Sequence, residues 1–457
     1  MKPRCAQATS DVWNRASIAH ALAMFGLILF AFTASLYSHL AEFALLLVLL
    51  AFIVSPDRHL NRRDPLVISM IVLVPYLGLS VLIGWRLSPE WLDHHLSDAL
   101  YVFLVPFMVL LVAWALRGDQ QRMYLVLKVA LAGLFVSILV PLITGQVPLE
   151  AFLEGGRQRM MFSNELRLGL YSAAALLGLL IFRPRGLSLW PLHLVVLSGY
   201  VLAMALLAQA LIVSQSRAAW LSSIIVLLLS ALIALVISLR RSPARAVTAQ
   251  VLPGLLVLIL VIAPVAFLLH SNATLIEQRW APVAATIQAA LDGETVGTDA
   301  VGKRYRMWEL GIEKIAERPW FGHGAGTARD YLHEAQAPIQ GYNHFHNIFI
   351  HLLVSFGVIG LVLVMGVFII LFVAVAHSWR RGFLDERLAL FVAGALMLFL
   401  LDSFTGYTIS RGQGRLFIAL VGGMAYSVFL WFRINRDQAD YCDNHSSMCE
   451  VKSTRVQ

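Results

Sequence analysis

The chain has 457 residues, of which 59% are apolar and only 14% charged, with a mean hydropathy of +0.75. Soluble domains carry about 45–50% apolar and ~25% charged residues, so the composition excludes an ordinary soluble enzyme and points to a polytopic membrane protein. A net charge of +8 would suggest nucleic acid in a soluble chain. In a membrane protein, Lys and Arg collect in cytoplasmic loops, and no nucleic-acid partner is expected. Cys5, Cys442 and Cys449 all lie in the terminal tails, where they offer neither a disulfide framework nor a metal site for the bundle.

A membrane-spanning helix needs about 20 apolar residues. Twelve stretches qualify in chain order: 17–36, 39–55, 65–85, 98–116, 122–144, 167–183, 189–213, 218–239, 249–270, 347–376, 385–405 and 415–433. The basic start of the chain leads into an apolar run without a small-residue cleavage site, so the first span reads as uncleaved. An even number of spans puts both termini on one side. Short loops on that side hold Arg62 and Arg63, Arg240 and Arg241, and Arg380 and Arg381, which makes it the cytoplasm by the positive-inside rule. The expected organisation is spans one to nine over 1–270, a large outer loop over 271–346, spans ten to twelve over 347–433, and a cytoplasmic tail over 434–457.

The outer loop holds most of the polar chemistry. Apolar residues at helical spacing (Leu275, Ile276, Trp280, Val283, Ile287, Leu291) predict an amphipathic helix over 273–291, of the kind that lies on a membrane surface. A second helix is expected from Arg304 to Glu317, stopping before Pro319. It places Arg304 and Trp308 one turn apart on one face. Gly322, Gly324 and Gly326 form an irregular turn; with no preceding strand they are not a nucleotide loop.

Several outer charges need an explanation. Arg157, Arg159 and Arg167 flank the sixth span, and Arg217 sits at the tight junction of spans seven and eight. A charge so close to the bilayer faces the bundle interior or water and has a partner. Arg217 and Arg304 are therefore either structural ion-pair members or a clamp for an anion, since a guanidinium fork grips diphosphate well. His346 directly precedes a long apolar helix, where the helix dipole keeps the ring neutral. It reads as a general base or as an interfacial cap, and His344 competes for the same role. No third ligand is spaced to make the His-x-His pair a metal site. Asp93-His94-His95 with Asp98 reads as a solvated loop, and Asp402 as a buried carboxylate partnered by Arg411 or Arg415.

The run Arg304-x3-Trp308, Arg318-Pro319-x2-Gly322-x-Gly324 and His346-Asn347-x9-Gly357-x2-Gly360 resembles the O-antigen ligase and polymerase superfamily. Ser216-Arg217 is similar to the family's other marked arginine. The resemblance covers about 210–220 and 300–360, and leans to ligase through the His346 motif. It implies an all-α, glycosyltransferase-C-like membrane protein of the bacterial inner membrane, with its active site facing the periplasm. It implies transfer of O-antigen from undecaprenyl diphosphate to a sugar hydroxyl of lipid A–core, with no cofactor and no metal. Carried over by matching position, His346, Arg217 and Arg304 are the catalytic residues. Arg157, Arg159, Arg167, Trp308 and His344 are candidates for substrate binding. The alternatives are an O-antigen polymerase, a protein O-oligosaccharyltransferase and, outside the enzymes, a transporter.

Overall fold

The computed structural model describes residues 3–56, 61–183, 191–241, 270, 273–292, 294, 296–410 and 412–444. Among them the fold is all α-helical. In chain order the helices are α1 (Pro3–Thr33), α2 (Ser38–Val54), α3 (Pro65–Leu87), α4 (Leu92–Leu116), α5 (Gln120–Ile143), α6 (Leu149–Leu153), α7 (Glu165–Ile181), α8 (Pro191–Val213), α9 (Arg217–Arg241), α10 (Ala273–Leu291), α11 (Ala300–Glu317), α12 (Thr327–Glu334), α13 (Ile348–Arg380), α14 (Glu386–Asp402) and α15 (Gly412–Asn444). Eight of these regions are long and apolar enough to cross a membrane, and residues 17–33 and 38–54 form shorter apolar helices. Every expected span coincides with a helix except the ninth, over 249–270, which lies almost wholly outside the described residues.

The bundle is built around α4 and α15. Both are 72% buried over their apolar windows, whereas α3 is 22% buried and turns most of its surface outward. The two central helices approach closely because Gly422 faces Val109 and Gly423 faces Val112, the small-residue packing that lets helix backbones meet in a membrane. At one end Asp64 caps α3 by accepting from Leu66 N at 3.0 Å, and also accepts from Tyr426 Oη at 2.6 Å, which ties α3 to α15.

At the other end, residues 300–347 fold into a small layer of their own. Met307, Ala328, Leu332, Ile339 and Phe345 form its core together with Val354 of α13, with Phe345 fully buried. The layer is joined to the bundle at a break in α13. Gly357 takes φ 60°, ψ −171°, a region that essentially only glycine occupies. The break interrupts the helical ladder, and the turn after Pro319 replaces what is lost. Val358 N donates to Pro319 O at 2.8 Å and Ile359 N to Trp320 O at 3.2 Å. In return, Val354 O accepts from His323 N at 2.8 Å and Ser355 O from Gly324 N at 2.9 Å. The carbonyl of Phe356 accepts from Tyr76 Oη on α3. These backbone groups beside the break are thereby paired, as buried groups normally are.

Gly324, at φ 104°, lies so close to α3 that a Cβ there would stand 2.5 Å from Gly84 Cα. The irregular turn expected from its glycines is therefore a docking segment wedged between α3 and α13. His323 is pinned in the same wedge, with Nε2 donating to Lys314 O at 2.8 Å and Nδ1 accepting from Tyr331 Oη at 2.7 Å.

Replacing Gly357 by Ala forces an L side chain into the glycine-only region and against the Trp320 carbonyl. The strain costs on the order of 1–3 kcal/mol. Thermal unfolding of the detergent-purified protein should show Tm lowered by at least ~2 °C; an unchanged Tm contradicts the docking described here.

Candidate active site

His346 is held between two fixed neighbours. Phe345 is locked in the small core, and its carbonyl accepts from Trp308 Nε1 at 2.9 Å. Asn347 caps α13, its Oδ1 accepting from Phe349 N at 2.9 Å and Ile350 N at 3.2 Å. Between them His346 adopts a left-handed backbone, φ 51°, uncommon for a residue other than glycine and a mark of functional positions. Its ring is half-buried just before the helix, 5.7 Å from the ring of Tyr342 and 4.2 Å from that of His344. Its backbone N–H donates to His344 Nδ1 at 3.2 Å. The expected placement at a helix N-terminus is what the structure shows, and Trp308 spends its indole N–H on orienting this segment.

The arginines converge on the same end. Arg217 opens α9 two residues after Gln215, another left-handed residue at φ 47°. Arg217 Nη1 donates to the backbone carbonyl of Arg279 on α10 at 2.9 Å, and the Arg279 guanidinium in turn donates to the Gln215 side chain. Burial, then the charges of Arg157 and Arg217, push the Arg279 guanidinium down from its usual value. Arg304 on α11 is pushed down by burial and then by the charge of Arg217, with Asp402 acting the other way. Among the described residues, the Arg304 guanidinium makes no hydrogen bond or ion pair. A half-buried cation crowded by like charge gains from an incoming anion. Arg279 was not anticipated, because in an amphipathic pattern it reads as one more solvated charge.

The other arginines separate by burial. Arg157 is exposed and meets Glu165 at 3.5 Å, and Arg159 is exposed nearby. Arg167 is buried and pairs with buried Asp402 at 3.5 Å. This differs from the expected partners of Asp402. Arg415 bonds instead to the carbonyls of Ile409 and Ser410, both at 3.0 Å, and lies 4.6 Å from the ring of Tyr101. Arg411 lies outside the described residues.

The stretch from Asp93 to Asp98 is not a solvated loop. It forms the first turns of α4, with His95 and Asp98 buried beneath the docked layer. His95 Nδ1 and Nε2 lie 2.6 and 2.9 Å from the carbonyls of Ala325 and Ser88. Asp98 accepts from Tyr407 Oη at 2.5 Å, His351 Nε2 at 3.3 Å and Gly326 N at 3.1 Å. Sequence reading missed His351 and Tyr407, which lie in apolar or irregular stretches and gain meaning only through Asp98. Among the described residues, no group of three His, Cys, Asp or Glu side chains is arranged to hold a metal ion.

The fold and site define a multi-pass α-helical membrane protein with clustered arginines and a strained histidine at one mouth of its bundle. Residues 202–365 match the family described as O-antigen ligase, a match that supports an O-antigen ligase family assignment. The match contains Arg217, Arg279, Arg304, His346 and both partners of the helix-break docking. The family supports glycosyl transfer of the ligase and polymerase type, with polysaccharide and lipid-linked substrates in a membrane. No curated protein matches the sequence.

Removing one partner of a buried ion pair leaves the other charge uncompensated, at a cost of about 3–5 kcal/mol, while replacing both by apolar residues is often neutral. Asp402→Leu should therefore lower Tm and yield of folded protein, and Arg167→Met/Asp402→Leu should recover much of the loss. A double variant as unstable as the sum of the single ones contradicts the pairing.

Proposed function

We propose that the protein is an O-antigen ligase, transferring a glycan from undecaprenyl diphosphate to a sugar hydroxyl of lipid A–core at the periplasmic face of the inner membrane. Both termini are then cytoplasmic, in keeping with the placement of Lys and Arg. The observation that carries the reading is Arg304, a half-buried guanidinium that makes no hydrogen bond or ion pair among the described residues and lies in the field of Arg217.

The chemistry is one displacement. The acceptor oxygen forms a bond to the anomeric carbon of the donor sugar as the bond from that carbon to the diphosphate oxygen breaks. The acceptor proton passes to the neutral imidazole of His346, a general-base contribution worth roughly 10²–10⁴-fold. The electron pair leaves on the diphosphate, where Arg217 and Arg304 stabilise the growing charge. Such preorganised electrostatic stabilisation often contributes more to catalysis than any other single effect. These arginines supply the charge that a divalent ion supplies to other diphosphate-sugar enzymes, and the donor is already activated, so no ATP is consumed.

Purified protein given lipid-linked O-antigen and lipid A–core should build a glycan ladder on lipid A–core in excess EDTA without ATP. Loss in EDTA with rescue by a divalent ion contradicts the metal-free mechanism, and elongation of the lipid-linked chain alone identifies a polymerase. In the same assay Arg217→Ala and Arg304→Ala should each lower turnover by roughly 10²–10³-fold while the protein still inserts and purifies. Full activity in either removes that arginine from the mechanism.

A further inference from the structure

Beside the arginine cluster the structure contains a second polar feature, a cavity of about 230 Å³ beneath the docked layer. Asp98 and Tyr101 line it from α4, Arg329, Asn343 and His344 from the docked layer, and His351 and Tyr407 complete it. We infer that this cavity binds one sugar ring of the acceptor, the ring that bears or adjoins the attacking hydroxyl. The inference rests on the proposed transfer reaction and adds to it the site that receives the acceptor.

The chemistry of the wall selects the ligand class. An acidic ligand would meet Asp98 and a cationic one Arg329. A lipid chain would leave both, with Asn343 and the histidine, facing apolar surface, which is costly. A neutral polyol suits the set, because each hydroxyl both donates and accepts and the tyrosine rings offer apolar faces. His351 is 2% exposed, and its Nδ1 has no hydrogen-bond partner among the described residues. Its Nε2 is held by Asp98, and its ring lies 3.8 Å from that of Tyr407. Buried polar atoms are normally paired, so this nitrogen is suited to pair with a ligand hydroxyl. Sites for drug-sized ligands run from roughly 300 to 1,000 Å³; a smaller cavity matches a single ring rather than an oligosaccharide.

Position assigns the ring to the acceptor. The Tyr342 ring is 5.7 Å from that of His346, His346 is 4.2 Å from His344, and His344 is 6.3 Å from Tyr407. The ring contacts thus run from His346, through His344, to the cavity wall. In a single displacement the nucleophile and the leaving group occupy opposite sides of the anomeric carbon. The diphosphate and its attached sugar belong with the arginines, and the base belongs on the side of the nucleophile. The cavity lies on that side.

The test varies each substrate separately in initial-rate assays of the reconstituted full-length protein, with lipid-linked O-antigen as donor and lipid A–core as acceptor. Tyr101→Phe and Arg329→Gln remove cavity hydrogen-bonding groups. Asn343→Ala does so at an exposed position that tolerates substitution. Loss of one hydrogen bond to a neutral partner corresponds to about a three- to tenfold change. The expected result is a rise of that size in KM for lipid A–core with KM for the donor unmoved. A rise in donor KM instead places the donor's own sugar in the cavity and overturns the assignment, as do unchanged constants in all three variants. Failure of the wild-type protein to transfer to lipid A–core is a separate outcome that defeats the ligase reading itself and the inference with it.

Discussion

The site depends on one interruption, the break of α13 at Gly357, and on the four backbone hydrogen bonds that the 319–324 turn makes across it. Unpaired backbone groups at membrane depth cost several kcal/mol each, so an interrupted helix persists only where another segment completes it. That requirement makes the turn an obligatory partner of the helix. Once the turn is seated, α11 is held immediately before it and carries Arg304. The capped start of α13 is held after it and carries His346. Two sequence motifs far apart in the chain are two halves of one joint.

The arginines around this joint differ in how their charge is met, and the difference separates support from chemistry. Arg167 faces Asp402 inside the bundle, and Arg415 faces two carbonyls, the Glu42 carboxylate and a tyrosine ring. Their positive charge is spent on holding helices together. Arg304 lies in the field of Arg217 and makes no ion pair among the described residues, and Arg217 and Arg279 brace each other through backbone and glutamine contacts. A partly desolvated cluster of like charge is preorganised for a multiply charged anion, because its reorganisation cost is met on folding rather than during reaction.

Much of this was legible in the residues. Apolar run length placed the helices, and Pro319 after Glu317 marked the end of α11. His346 before Asn347 and a long apolar run announced a capped helix start. The function of the glycines was not legible: Gly322, Gly324 and Gly357 read as turn and helix residues, while their contact joins segments separate in sequence. The Asp93–Asp98 stretch misled for a related reason. Its charge density suggests water, and only the docked layer shows that Asp98 is buried with Tyr407 and His351 as partners. Asp402 misled through proximity, since Arg411 and Arg415 are near in the chain whereas its partner Arg167 comes from a distant helix. Arg279 could have been suspected only from its position on an outer amphipathic helix facing the Gln215–Arg217 corner.

The central claim is a single displacement, with arginines on the leaving group and a histidine on the nucleophile across one anomeric carbon. The most direct measurement is the anomeric configuration of the new linkage, read by NMR from the one-bond carbon–proton coupling and compared with the configuration in the donor. The account predicts inversion; retention would require a covalent intermediate or two successive displacements, and would contradict it.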